Sequence, residues 1–208
     1  MNPSLKKYRL VIFDFIDTLA ACKGLSKVEI ALEQELGKET VEAFIDGGNI
    51  DKIPSVDEAM NTFKSITSLS KEQEELVRRW LDWSDISLFE DTIDTLEYLK
   101  EKGYLIAIIS NSPPSSRDQL ADLGIRQYVD EAVFSFEVGS KKPEKEIFTA
   151  LLNKLHIEPQ DALMIGDSIK NDINGANACD IDALLLDRNT TIIFDPKIIT
   201  LRELRNFL

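Results

Sequence analysis

Three carboxylates follow apolar runs of the chain and are of the type that binds magnesium. Asp14 comes directly after the run VIF, and Asp167 and Asp172 come after the run ALMIG. Mg²⁺ prefers oxygen ligands and is commonly held by carboxylates, waters and a substrate phosphate. Each of these residues taken singly also fits a solvated strand end or a turn. Taken together, they predict a site for Mg²⁺.

Ser110, Asn111 and Lys142 have side-chain and backbone groups that suit a phosphate group. A hydroxyl, the backbone amide of Asn111 and an ammonium group match the non-bridging oxygens of a phosphoryl group, where charge builds up during transfer. Asp14 then stands where a carboxylate nucleophile could attack phosphorus, with a metal ion cancelling the repulsion between two anions. Singly, Ser110 also fits a helix cap and Lys142 a surface charge. The combination predicts phosphoryl transfer.

A parallel sheet is needed to bring these residues together. Strands are predicted in five apolar runs: RLVIF, YLIAIIS, AVFSF, ALMIG and DALLL. Helical patterns lie between them: DTIDTLEYLKEKG, SSRDQLADLG and KPEKEIFTALLNKL, the last with Pro143 in its first turn. Strands that alternate with helices are typical of a parallel sheet covered on both faces, which binds ligands beyond the carboxyl ends of its strands. We therefore predict an α/β fold with a Rossmann-like parallel sheet core.

The part of the chain after the first strand breaks this alternation. Residues 23–84 offer successive helical patterns: KVEIALEQEL, ETVEAFIDG, VDEAMNTFKSI and KEQEELVRRWLDW. Their apolar positions recur at helical spacing, which favours a small bundle with its own core over a cofactor site. We expect an inserted all-helical cap domain at residues 21–85, and an α/β core made of residues 1–20 and 86–208. The chain would cross between them twice, as in a hinged cap.

The composition argues against several classes of partner. The chain has 24 Lys and Arg against 37 Asp and Glu, a net charge of −13, which repels nucleic acid and anionic membrane surfaces. Cys22 and Cys179 form neither a metal-binding spacing nor a disulfide framework. The N-terminus lacks the apolar run of a signal peptide, and no stretch approaches the ~20 apolar residues of a membrane span. We expect a cytoplasmic protein that binds neither nucleic acid nor membrane; its oligomeric state is left open.

Four segments resemble, in order, the motifs of the haloacid dehalogenase-like (HAD) hydrolases, a mostly phosphatase superfamily. They are FDFIDTL, IAIISNS, KKPEKEIF and IGDSIKNDINGA. The helical insertion after the first motif is similar to the helical cap of that superfamily. The resemblance covers nearly the whole chain, from about residue 8 to residue 186. It implies a hydrolase that acts on a small phosphorylated metabolite with Mg²⁺ as cofactor.

The resemblance also implies a role for each motif residue. Asp14 would be the nucleophile that becomes an aspartyl-phosphate, and Ser110 and Lys142 would hold the phosphoryl group. Asp167 would bind Mg²⁺ together with Asp14. The remaining roles fall to three residues: Asp172 supporting the metal site, Asn111 lending its amide to the substrate, and Thr18 ordering the first loop as part of the substrate site.

The first motif departs from the family pattern at one functional position. Phosphatases of the family carry Asp, any residue, Asp, Gly, Thr, whereas this chain has Asp14-Phe15-Ile16-Asp17-Thr18. The second Asp normally protonates the leaving alcohol and later deprotonates the attacking water, and Ile16 can do neither. The family's metal ligand at this position is the backbone carbonyl, which Ile16 retains. We therefore expect a magnesium-dependent phosphomonoesterase that is weak or restricted to good leaving groups.

Three alternatives stay open. Asp17 would serve as a surrogate acid/base if the loop turned its side chain back toward the site. A phosphate or phosphometabolite sensor would keep the metal and phosphate ligands without turnover. A 2-haloacid dehalogenase also lacks the second Asp, but it needs a cation for the substrate carboxylate, and no Arg occurs between Arg9 and Arg78. Dehalogenases also depart from the magnesium motif that GDSIKND preserves.

Overall fold

The computed structural model describes residues 8–22, 25–41, 53, 55–82, 86–112 and 116–208. Its strands are β1 (Leu10–Phe13), β2 (Ala20–Cys22), β3 (Ile86–Leu88), β4 (Leu105–Ser110), β5 (Glu131–Phe134), β6 (Ala162–Gly166), β7 (Asp182–Leu186) and β8 (Lys197–Ile198). Six of them form one parallel sheet in the order β5-β4-β1-β6-β7-β8, and β2 pairs with β3 in a separate antiparallel ribbon. The predicted α/β parallel sheet is therefore confirmed.

The central strand β1 places Asp14 in the middle of the sheet's carboxyl edge. Phe13, the last residue of β1, lies opposite Ile108 of β4 on one side and Ile165 of β6 on the other. The Asp14 N–H continues this pattern and donates to the Ile165 carbonyl at 2.9 Å. The ends of β1, β4 and β6 thus meet at one edge, as the sequence predicted.

Both faces of the sheet are buried, which explains why its strands are continuous apolar runs. Because side chains alternate along a strand, Val11 and Phe13 pack on one face, whereas Leu10 and Ile12 pack on the other. Helices cover both faces. The helices that cover the sheet come after the inserted segment in the chain.

The inserted segment contains α1 (Leu25–Leu36), α2 (Val56–Ile66) and α3 (Lys71–Asp82) between β2 and β3. These helices share a buried cluster that is separate from the two clusters on the sheet; it includes Leu32, Met60, Phe63, Val77 and Trp80. Such a cluster is what the helical spacing predicted. The helix predicted in ETVEAFIDG lies mostly outside the described residues.

The helices that cover the sheet are α4 (Thr92–Glu101), α5 (Ser116–Asp122), α6 (Ser135–Val138), α7 (Lys145–Leu155) and α8 (Asn174–Asn177). A π-helical turn over Ile169–Ile173 precedes α8, and a 3₁₀ helix covers Leu201–Asn206. The prediction that Pro143 sits in the first turn of its helix is wrong. Glu144 still has an extended backbone, so α7 begins only at Lys145. No helix in the described parts of the chain has the length and apolarity needed to span a membrane.

Candidate active site

One cavity of about 300 Å³ opens at the carboxyl edge of the sheet. It is lined by Asp14, Ile16, Asp17, Ser110, Asn111, Lys142, Asp167, Ser168, Asn171 and Asp172. The structure therefore brings all the predicted site residues together except Thr18. Thr18 belongs to the first loop and is fully buried, and its substrate contact stays a prediction.

Lys142 lies between two carboxylates at the floor of this cavity. Its Nζ is 2.7 Å from Asp14 Oδ1 and 2.6 Å from Asp172 Oδ1, and its side chain is 2% exposed. Burial alone lowers the pKa of Lys142, but the charges of Asp14 and Asp172 outweigh it and hold that pKa above its usual value. The lysine is therefore charged at neutral pH and faces Asp14 as an ammonium ion.

The carboxylates outnumber this single ammonium group. Oxygen atoms of Asp14, Asp167 and Asp172 all lie within 4.8 Å of one another. Burial, followed by the charges of Asp14, Asp172 and Asp17, raises the pKa of Asp167 to about 7. A cluster of oxygen donors whose charge is not balanced by neighbouring cations fits a hard divalent ion such as Mg²⁺.

Asp172 is held by the residues around it. Its Oδ1 accepts from Lys142, and its Oδ2 accepts from the Ser168 N–H at 2.9 Å. Gly166, at the end of β6, leaves room for this carboxylate, since a Cβ there would lie 2.3 Å from Asp172 Cγ and Oδ2. Ser168 Oγ in turn accepts from the Asn171 N–H at 3.2 Å and caps the π-helical turn. Both oxygens of Asp172 are thus fixed before any ligand binds.

The end of β4 supplies Ser110 and Asn111. Ser110 Oγ lies 2.5 Å from the Oγ of Ser112, and both side chains are buried. The Asn111 side chain pairs with the backbone of Lys142: its Nδ2 donates to the Lys142 carbonyl at 2.9 Å, and the Lys142 N–H donates to its Oδ1 at 2.8 Å. This double hydrogen bond ties the loop that carries Lys142 to the end of β4.

The first loop turns sharply between Asp14 and β2. Asp17 has a left-handed backbone with φ of 60°, in keeping with the glycine that is usual there. Its N–H donates to the Ala20 carbonyl at 2.7 Å, and the residue lines the cavity. Burial raises the pKa of Asp17, and the charge of Arg188 opposes that rise. Ile16 is half-buried and packs against the core, which leaves Asp17 as the carboxylate of this loop on the cavity wall.

Several residues at or behind the cavity were not foreseen from the sequence. Ser168 and Asn171 line the cavity, and Ser112 hydrogen-bonds to Ser110 behind it. The sequence could have indicated them by their positions next to motif residues, in GDSIKND and ISNS. The pairing of the Asn111 side chain with Lys142 had no sequence signal, because the two residues are 31 positions apart.

Comparison with known proteins shows the family to which this fold and cavity belong. The model of the haloacid dehalogenase-like hydrolases matches residues 8–180, so the chain belongs to that family. It is 38% identical over 104 residues to ribulose-1,5-bisphosphate 5-phosphatase from Halopiger xanaduensis, which covers 50% of this chain and 44% of that protein. It is 36% identical over 104 residues to glyceraldehyde 3-phosphate phosphatase from Methanothermobacter thermautotrophicus, covering 50% of this chain and 46% of that protein. The chain thus spans just under half the length of these curated relatives.

A solved structure matches over nearly the whole chain. The crystal structure of a HAD phosphatase from Thermococcus onnurineus superposes with a TM-score of 0.70 at 28% identity, and the match covers 96% of this chain and 97% of that one. The inserted helices are therefore included in the structural match. The family predicted from the four motifs is confirmed.

Proposed function

We propose that the protein is a magnesium-dependent phosphomonoesterase that acts through an aspartyl-phosphate at Asp14. The observation that carries the proposal is the 2.7 Å contact between Lys142 Nζ and Asp14 Oδ1, inside a cavity that Ser110 and Asn111 also line. This contact holds a carboxylate and an ammonium group beside other groups that would bind a phosphate. The phosphatase names of both curated relatives support the same reaction class.

In the first step, a carboxylate oxygen of Asp14 attacks phosphorus and the bond from phosphorus to the leaving oxygen breaks. Lys142, Ser110 and the backbone N–H of Asn111 pair with the phosphoryl oxygens. In the second step, water attacks the aspartyl-phosphate, which releases inorganic phosphate and restores the Asp14 carboxylate. The first step needs a proton for a poor leaving group, and the second step needs a base for the water.

Asp14, Asp167 and the carbonyl of Ile16 would hold Mg²⁺, with Asp172 in support. When bound, the ion would supply positive charge that offsets the repulsion between Asp14 and the substrate phosphate. The proton transfers would be slow because Ile16 replaces the usual acid/base. Asp17 would carry out these slow proton transfers in place of the usual acid/base. It lines the cavity and, unlike Asp172, accepts no hydrogen bond from Lys142.

The substrate would be a small phosphorylated metabolite, as the names of the two curated relatives suggest. Residues 21–85 would act as a cap over the site and exclude water during the reaction. This division is supported by the separate core of the three inserted helices and by their connection to the rest of the chain through β2 and β3. The acidic chain would bind neither nucleic acid nor membrane, and the cytoplasm remains the predicted location.

The test is the initial rate of hydrolysis of para-nitrophenyl phosphate and of an alkyl phosphate, both with Mg²⁺. Asp14→Asn should abolish hydrolysis of the aryl ester, whereas the exposed control Asp122→Asn should not change it. Ile16→Asp should raise the rate for the alkyl ester by roughly 10²- to 10⁴-fold, the usual contribution of a general acid/base. Aryl hydrolysis that persists at full rate in Asp14→Asn would refute the assignment of the nucleophile.

Ile16 also favours a second candidate function, a phosphate or phosphometabolite sensor. Phosphate binding that depends on Mg²⁺, without turnover even of the aryl ester, would support the sensor and refute the enzyme. A 2-haloacid dehalogenase is disfavoured, because Lys142 is the one cation among the described lining residues and is already paired with Asp14 and Asp172. Chloride release from 2-chloropropionate would reverse that conclusion.

A further inference from the structure

Arg188 contacts two separate segments of the chain, although it lies beyond the residues that match the family model. Its Nη2 donates to the Thr18 carbonyl at 2.7 Å. The same guanidinium donates to both carboxylate oxygens of Asp91, each at 3.0 Å, and lies 3.8 Å from the centre of the Phe89 ring. Only the planar, forked guanidinium of an arginine can donate to a carbonyl, donate to both oxygens of a carboxylate and stack on a ring at the same time.

Asp91 gives this arginine a rigid anchor. Its side chain is 2% exposed, and it directly precedes α4. Besides Arg188, it accepts a hydrogen bond from the Leu201 N–H at 2.9 Å. The ion pair therefore joins the end of β7 to the start of α4 and to the C-terminal 3₁₀ helix, all of which belong to the packed body of the sheet.

The loop that Arg188 holds forms one wall of the cavity. Thr18 follows Asp17 directly, and Asp17 and Ile16 both line the cavity. The next carbonyl, that of Leu19, accepts from the Phe89 N–H at 3.1 Å and from the Thr92 hydroxyl at 2.7 Å. Two successive carbonyls of the loop are thus fixed by Arg188 and by the segment that it contacts.

The same cluster lies where the inserted helices join the rest of the chain. β2 begins at Ala20, one residue after Leu19, and β3 ends at Leu88, one residue before Phe89. Arg188 therefore contacts the base of both connections, one through the Thr18 carbonyl and the other through Phe89 and Asp91. A change at this arginine would loosen both connections together.

We propose that Arg188 is a positioning residue that fixes the loop Ile16–Leu19 against Phe89–Asp91 and thereby holds one wall of the active site. Its effect on rate rests on the proposed phosphatase function, whereas its effect on the loop does not. It does not touch the reacting atoms. A displacement of about 1 Å at a reacting group can cost on the order of 10²-fold in rate, so loosening this wall should lower kcat by about 10- to 100-fold.

Arg188→Lys is the variant of choice, because it leaves a positive charge opposite the buried Asp91 and avoids the large cost of an unpaired buried carboxylate. Lys100→Met is the matched control. Lys100 also pairs with a carboxylate, Asp130, at 2.8 Å, and Asp130 also accepts a backbone N–H, that of Ile106, at 2.8 Å. That pair does not contact the loop that lines the cavity.

The experiment combines hydrogen–deuterium exchange with steady-state hydrolysis of para-nitrophenyl phosphate, at a temperature where circular dichroism shows all proteins folded. Arg188→Lys should exchange faster over residues 15–22 and 86–92, and its kcat should be about 10- to 100-fold lower. Lys100→Met should change neither. Millimolar guanidinium should restore part of the activity of Arg188→Ala, which a purely global loss of stability would not allow.

Each outcome decides the inference separately from the proposed function. If Arg188→Lys exchanged at the same rate as the wild type over both segments, the positioning role would be overturned, whatever the activity. Faster exchange with an unchanged kcat would overturn its importance for catalysis. An inactive wild-type protein would refute the phosphatase proposal, while the exchange data would still decide whether Arg188 positions the loop.

Discussion

Magnesium affinity should depend steeply on pH because of Asp167. Burial and the neighbouring carboxylates raise the pKa of Asp167 to about 7, and a metal ion must displace that proton to bind. With a pKa of about 7, roughly one molecule in eleven is ionised at pH 6 and roughly ten in eleven at pH 8. The apparent affinity for Mg²⁺ should therefore rise about tenfold between pH 6 and pH 8.

Stability without metal should change in the opposite sense. Since the pKa of Asp167 is raised above its ordinary value of 3.8, the folded protein binds this proton more tightly than the unfolded chain does. The contribution of Asp167 to the free energy of unfolding should then fall as the pH rises from about 4 to about 7. Added Mg²⁺ should raise the melting temperature more at pH 8 than at pH 6.

Isothermal titration calorimetry with MgCl₂ at the two pH values, in buffers of different ionisation enthalpy, measures both the affinity and the number of protons released. Asp167→Asn should bind Mg²⁺ weakly and should lose this pH dependence, whereas the exposed control Asp122→Asn should behave like the wild type. An affinity that stays constant between pH 6 and pH 8 would refute the reasoning about the charge cluster.

Three substitutions test how the cavity is held. Gly166→Ala would place a Cβ 2.3 Å from the Asp172 carboxylate and should displace it from Lys142, lowering kcat by roughly 10²-fold. Asn111→Ala would remove both hydrogen bonds to the Lys142 backbone and should lower kcat for para-nitrophenyl phosphate by about tenfold. The exposed control Asn153→Ala should leave kcat unchanged. An equal loss in both variants would contradict the role of Asn111 in holding the loop that carries Lys142. Asp17→Asn should slow hydrolysis of an alkyl phosphate more than that of the aryl ester, whose leaving group needs no proton; equal losses on both esters would count against Asp17 as a proton donor.

Much of the sheet could be predicted from the sequence because its strands are buried on both faces. β1, β4 and β6 are apolar runs that end abruptly in polar residues, and that pattern placed Asp14, Ser110 and Asp167 at one edge. β2, β3 and β8 were missed, since strands of two or three residues carry no readable alternation. β2 nevertheless begins where the first loop ends, and β3 pairs with it.

The parts of the site that sequence did not reveal depend on long-range contacts. Arg188 meets Thr18 and Asp91 from 170 and 97 positions away, and nothing in the local sequence marks that meeting. Asp17 lines the cavity with a left-handed backbone. On an extended segment its side chain would point to the other side. The order of the motifs predicted which residues gather, whereas the bonds that hold them required the folded chain.

The most direct test of the central claim is mass spectrometry of the protein, acid-quenched during turnover of para-nitrophenyl phosphate with Mg²⁺. The wild type should carry one added phosphoryl group on the peptide that contains Asp14, and Asp14→Asn should carry none. Because Ile16 leaves the water poorly activated, the adduct should make up a larger fraction of the wild type than of Ile16→Asp. Turnover without any adduct at Asp14 would show that Asp14 is not the nucleophile.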